Sequence, residues 1–210
     1  MLLNQITMLE TFLEQIIRTT WPEWIGMIAG IVGVCLSIKE KIGAWPLFIL
    51  CYASYVYISY QYGLKAFMMM NAIFIGISVY GWIKWSQHTP GAEDHVHVSH
   101  TPLKQLCIAL ALLALSTAGI GGILDRLGEA QVPYWDAFAT SCGFVAQWML
   151  SRKHVETWIF WIITDLIYIR LLGEQGSLTS VVLFSVFIVL AIKGWNDWRT
   201  SMKTSNQVAT

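Results

Sequence analysis

Charge is what this sequence lacks most. Charged residues fill 12% of the 210 positions while hydrophobic ones fill 56%, and a soluble domain usually carries about 25% charged residues. An excess of either sign is missing too, because thirteen Lys+Arg offset thirteen Asp+Glu. No basic field is present to hold a nucleic acid. The four cysteines, Cys35, Cys51, Cys107 and Cys142, form no CxxC and sit inside apolar runs, so neither a disulfide framework nor a zinc site is expected and they read as small hydrophobes. The positive start of a signal peptide is also absent.

Long apolar runs are plentiful. A membrane-spanning helix needs roughly 17 to 25 apolar residues, and seven runs of about that length recur: Glu23 to Ile38, Ile42 to Tyr62, Ala66 to Trp85, Leu106 to Leu124, Asp136 to Ser151, Thr157 to Leu172 and Gln175 to Ile192, of which the first, fifth and sixth are the shortest. Pro22, Pro46, Pro102 and Pro133 fall where helices begin and none lies in a span interior, which supports the division. The fold expected is an all-α integral membrane protein.

Residues 1–20 set apolar positions against Glu10, Glu14 and Arg18, the pattern of an interfacial amphipathic helix. A first bundle over 21–86, a polar loop over 87–102, a linking span over 103–124, a second bundle over 132–199 and a disordered tail over 200–210 complete the division. Arg18, Lys65, Arg126 and Arg170 lie on the face of the N-terminus. Lys39, Lys41, Lys84, Lys104, Arg152, Lys153, Lys193, Arg199 and Lys203 lie on the other. The positive-inside rule then puts the N-terminus outside and the C-terminus, with the 87–102 loop, in the cytoplasm.

Sliding the chain by 113 positions superimposes Gly30 on Gly143, Trp45 on Trp158, Tyr55 on Tyr168, Gly63 on Gly176, Gly81 on Gly194, Trp82 on Trp195 and Trp85 on Trp198. Spans one to three thus match spans five to seven. Three crossings reverse the chain, and the unmatched fourth span restores its direction, so the expected architecture is 3+1+3 with parallel three-helix repeats. Transporters built from parallel repeats hold their substrate near the midplane between the halves.

Of thirteen acidic residues only Asp165 lies deep in a span. A charge there costs roughly 2.5 to 3.5 kcal/mol on insertion scales, so it is expected to face a cavity, a counter-charge or a substrate. Trp158, Trp161, Asp165 and Tyr168 share one helix face. The matching span repeats the stripe with Phe48, Tyr52 and Tyr55, so two aromatic walls with one carboxylate suit a flat cation. Asn71 and Gln147 add amides for polar groups of a ligand, or bond between helices. Gly26, Gly30 and Gly33 form a small-residue face for helix packing.

His88, His95, His97 and His100 crowd the polar loop, but without cysteine they read as a solvated segment rather than a metal site. No metal or cofactor is expected. With no histidine inside a span and no second acid at the depth of Asp165, neither a Ser/His pair nor an aspartyl dyad can be assembled in the membrane, which disfavours an intramembrane enzyme.

The YGWIKW of Tyr80 to Trp85, the run AQWMLSRKHVETWIFWIITDLIYI from Ala146 to Ile169, and GSLTSV from Gly176 with GWNDW at its end resemble the Pnu-type vitamin transporters, whose nicotinamide riboside branch is the best known. The resemblance covers residues 21–199. It implies a three-plus-one-plus-three helix arrangement like that of a full-length SWEET sugar transporter in a bacterial inner membrane. It also implies energy-independent uptake with a cytoplasmic kinase trapping the vitamin, and a binding site that includes Trp158, Trp161 and Asp165. Members associated with the riboside often carry Asn at the position of Asp165 and Gln at that of Asn71. Thiamine is the alternative flat cation, a proton-coupled carrier the alternative mechanism, and association into a homo-oligomer is left open.

Overall fold

The computed structural model describes residues 2–87, 97–128 and 130–208, and these are all-helical: α1 (Leu2–Arg18), α2 (Trp21–Ile38), α3 (Ala44–Tyr62), α4 (Lys65–Ser86), α5 (Leu103–Leu127), α6 (Pro133–Ser151), α7 (Thr157–Glu174) and α8 (Leu178–Val208). Local chemistry accounts for the boundaries. Thr20 and Glu23 form a capping box ahead of α2, with Pro22 in its first turn. Gly63 and Gly176, at φ 70° and 76°, close α3 and follow α7. Leu64 N–H then reaches Ser59 O and Ser177 N–H reaches Leu172 O, each at 2.9 Å, the left-handed closure that glycine permits.

Four helices, among the described residues, are both long and apolar enough to cross a membrane: α2, α4, α5 and the Leu178–Thr204 portion of α8. The other three helices of the bundle, α3, α6 and α7, carry more polar and aromatic residues. Helices α2, α3 and α4 pack in succession, as do α6, α7 and α8. α5 lies on α6, and the two groups meet through α4 on α6 and α2 on α8. α1 leans on α8, where Gln15 Nε2 donates to Gly176 O and Gln15 Oε1 accepts from Thr179 N–H.

The main core lies at one end of the bundle. Trp45, Trp158 and Trp198 are at most 1% exposed. Trp85 meets Trp45 edge-on at 5.2 Å between ring centroids, and Trp158 meets Trp198 edge-on at 5.3 Å. Gly81 lies under the ring of Trp45 and Gly194 under that of Trp158 so closely that a Cβ at either would overlap the indole.

The expected disordered tail is corrected up to Val208. Helix α8 continues to that residue, Ser201 Oγ donates to Glu40 Oε1 at 2.9 Å, and Met202 packs against the tryptophan core. His88 and His95 of the polar loop lie outside the described residues. His100 pairs with Glu156 at 2.7 Å, and Ser99 pairs in parallel with His154, which straps the end of that loop to the α6–α7 connection. Among the described residues no group of three His, Cys, Asp or Glu is arranged to hold a metal.

Candidate functional site: a cavity between two helix triplets

A cavity of about 550 Å³ lies between α2–α4 and α6–α8, inside the roughly 300 to 1,000 Å³ range of small-molecule sites. At one end it is bounded by Ser37, Leu150 and Trp158. At the other it reaches Leu64, Ala130 and Gln175, which belong to the opposite connections.

Eight of the nine expected site residues line it: Phe48, Tyr52 and Tyr55 from α3, Asn71 from α4, and Trp158, Trp161, Asp165 and Tyr168 from α7. Each tyrosine is held by its neighbours. Tyr52 stacks on Phe74 at 4.7 Å and Tyr168 on Phe184 at 5.2 Å, while the Tyr168 hydroxyl shares a 3.0 Å hydrogen bond with Thr140 Oγ1. Asp165 is 3% exposed and makes no hydrogen bond or ion pair among the described residues. Asn71 Nδ2 donates to Phe67 O at 2.8 Å, which leaves its amide oxygen open.

Gln147 is the exception. It is fully buried, but its Nε2 donates to Ser78 Oγ at 3.1 Å, and the residue ties α6 to α4 rather than lining the cavity. The residue 113 positions earlier, Val34, does line it.

The wall has a further order. Gly30 and Gly143, Phe48 and Trp161, Cys51 and Thr164, Tyr52 and Asp165, Tyr55 and Tyr168, Asn71 and Phe184, and Phe74 and Phe187 all line the cavity, each pair 113 positions apart. The two walls are therefore alike in position and unlike in chemistry, with the carboxylate on one and a phenol facing the same space from the other. Among the described residues no Lys, Arg or His lines the cavity.

Residues 20–200 match the family model described as nicotinamide mononucleotide transporter. The chain belongs to that family. Relatives within the nicotinamide mononucleotide transporter family include the nicotinamide riboside transporter PnuC of Escherichia coli (strain K12), 23% identical over 208 residues, 88% of this chain and 87% of that protein. The riboflavin/roseoflavin transporter RibM of Streptomyces davaonensis is 24% identical over 181 residues, 85% of this chain and 84% of its own. The crystal structure of the vitamin B3 transporter PnuC shares the fold, with a TM-score of 0.72 at 20% identity over 95% of this chain and 92% of that one. As a member of this family the chain is a membrane transporter and not an enzyme.

Asp136 and Thr140 are among the lining residues of this family member that the expected site did not include. Asp136 stands at the first position of an expected span, and only Asp165 was expected to lie deep in one. The available signal was spacing, because Asp136, Thr140 and Gly143 follow at intervals that share one helix face.

Proposed function

We propose that the chain takes up nicotinamide riboside by facilitated diffusion through alternating access. Two parallel three-helix repeats, α2–α4 and α6–α8, are joined by α5 as a seventh membrane crossing. The N-terminus faces outward and the C-terminus the cytoplasm of a bacterial inner membrane. The observation that carries this reading is Asp165, a buried carboxylate without a protein partner in an aromatic cavity. A pyridinium ring supplies the missing positive charge and stacks on faces whose quadrupole attracts it. Trp161, Phe48 and Tyr52 enclose the ring, Trp158, Tyr55 and Tyr168 complete the wall, Asp165 is the counter-ion, and Asn71 accepts from the sugar or carboxamide. Gln147 acts by joining the helices behind the site.

The parallel arrangement is supported by the ends of the helices. The α2–α3 and α6–α7 connections lie together, because Lys153 and Glu40 form an ion pair. Inverted repeats would put equivalent connections on opposite faces. Rocking of one triplet against the other would open the tryptophan end and close the other. Downhill entry needs a trap, and a cytoplasmic kinase that phosphorylates the riboside supplies one.

The phosphorylated mononucleotide named in the family description is a poorer fit. Its phosphate would meet two carboxylates and, among the described residues, no basic group in the cavity wall. Thiamine is the second reading, favoured by Asp165, which suits any flat cation.

Uptake into proteoliposomes, with and without a proton gradient, tests the mechanism. The riboside should equilibrate across the membrane, and gradient-driven accumulation would establish a coupled carrier instead. Titration of the purified protein with nicotinamide riboside, thiamine and riboflavin tests the substrate, and tighter binding of thiamine would replace the riboside.

A further inference from the structure

Asp136 enters the cavity from the first turn of α6, on the side away from the tryptophan core. Its depth relative to Asp165 follows from helix packing. Thr164 Oγ1 donates to Ala139 O at 3.3 Å, which sets Asp165 beside Ala139. Asp136 is three residues nearer the start of α6, about 4.5 Å at 1.5 Å of rise per residue. Tyr168 lies within electrostatic reach of both carboxylates.

A helix often carries an acid in its first turn to complement the dipole, and Glu23 does this at the matching place in α2. There, however, the acid is engaged, since Glu23 Oε2 accepts from Thr20 N–H at 2.6 Å and Thr20 Oγ1 at 2.9 Å, and Glu23 does not line the cavity. The Asp136 carboxylate has no such partner among the described residues. Deeper on the same wall stands Asp165, nine-tenths buried and likewise unpartnered. Two carboxylates unpaired among the described residues stand on successive levels, and no described basic residue lines the space, which makes a wall of one sign.

We propose that Asp136 is the entry carboxylate of the transport site. It draws a cationic ligand into the mouth of the cavity, delivers it to Asp165, and excludes anionic relatives of that ligand. The proposal rests on the cation reading given above and adds a specificity-determining residue to it. Asp136 governs capture, whereas Asp165 governs retention. A narrow cleft of one charge raises association rates by about 10- to 1,000-fold, so loss of one of two such charges should slow capture by roughly tenfold.

Stopped-flow tryptophan fluorescence on the full-length protein in nanodiscs tests this, with nicotinamide riboside and thiamine as separate probes at low and high salt. For D136N the association rate should fall about tenfold at low salt with the dissociation rate little changed, and its salt dependence should flatten. D136E should restore both rate and salt dependence, whereas a purely dipole-stabilising role predicts lower stability in D136N with an unchanged association rate. An association rate in D136N equal to that of the unsubstituted protein, or an effect confined to dissociation, overturns the proposal. Capture of thiamine alone, slowed by D136N, would replace the riboside as substrate and leave Asp136 in its role. No response to either cation overturns both.

Discussion

Lys153 Nζ donates to Glu40 Oε2 at 2.8 Å, and the two residues stand 113 positions apart, the interval that aligns the two halves of the chain. Both sit in the left-handed region, at φ 54° for Glu40 and 55° for Lys153. Residues related by a two-fold rotation touch each other only near the axis. The bridge lies in end connections rather than at mid-helix, which supports the proposed two-fold axis along the bundle. A second contact obeys the same rule. Trp85 Nε1 donates to Ser151 O and Trp198 Nε1 to Ile38 O, each at 3.2 Å, an exchange of the same bond between halves. This is the reciprocity expected of the proposed two-fold relation between the halves.

The ion pair should hold the tryptophan end closed. Its side chains are 14% and 26% exposed, so a double-mutant cycle on E40Q and K153M should give a coupling of about 1 to 2 kcal/mol in thermal stability. The charge exchange E40K with K153E should recover most of the uptake lost in either single reversal. Additive effects would mean that the pair is incidental.

The glycines beneath the tryptophans separate packing from binding. G81A and G194A should each destabilise by about 1 to 3 kcal/mol through overpacking. Only G194A displaces a ring that lines the cavity, since Trp158 does so and Trp45 does not. Ligand affinity should therefore drop in G194A and stay within about twofold in G81A, at the level of surface-substitution scatter. Equal loss of affinity in both would remove Trp158 from the site.

Acid should loosen the strap that joins the polar loop to the α6–α7 connection. Burial pushes the His154 imidazole below its ordinary 6.5, outweighing the nearby Glu156 that raises it. For Glu156, burial raises the carboxyl, but hydrogen bonds from Thr101 and His100 prevail and leave it below its ordinary 4.5. In both cases the unfolded chain binds protons more readily, so stability rises with pH. The melting temperature should fall as pH drops below 6.5, where His154 contributes, and further below 4.5, where Glu156 does. E156Q should remove the second decline, and a flat profile in the unsubstituted protein would contradict the assignment.

Much of this molecule could be read from its residues because a bilayer imposes a length on helices. The apolar runs anticipated α2 to α8 within a few residues at most starts, and the amphipathic start anticipated α1. The aromatic stripes of α3 and α7 face the cavity because helical spacing settles which residues share a side. Three features were hidden because they depend on partners far along the chain. Thr200 to Val208 are mostly polar, and tertiary contacts at Ser201 and Met202 accompany their helix. Gln147 lies one turn from the lining residue Gly143, yet its amide meets Ser78 on α4, which no local pattern encodes. Asp136 shares a helix face with Thr140 and Gly143, but how far the cavity extends along that face depends on the other helices around it.

Asp165 is the center of the account, and calorimetric titration of the purified protein with nicotinamide riboside, alongside D165N and D165A, tests it most directly. Saturable binding is expected for the unsubstituted protein, with a loss of at least about tenfold in affinity, or roughly 1.4 kcal/mol, in both folded variants. Unchanged affinity in D165N and D165A would contradict it.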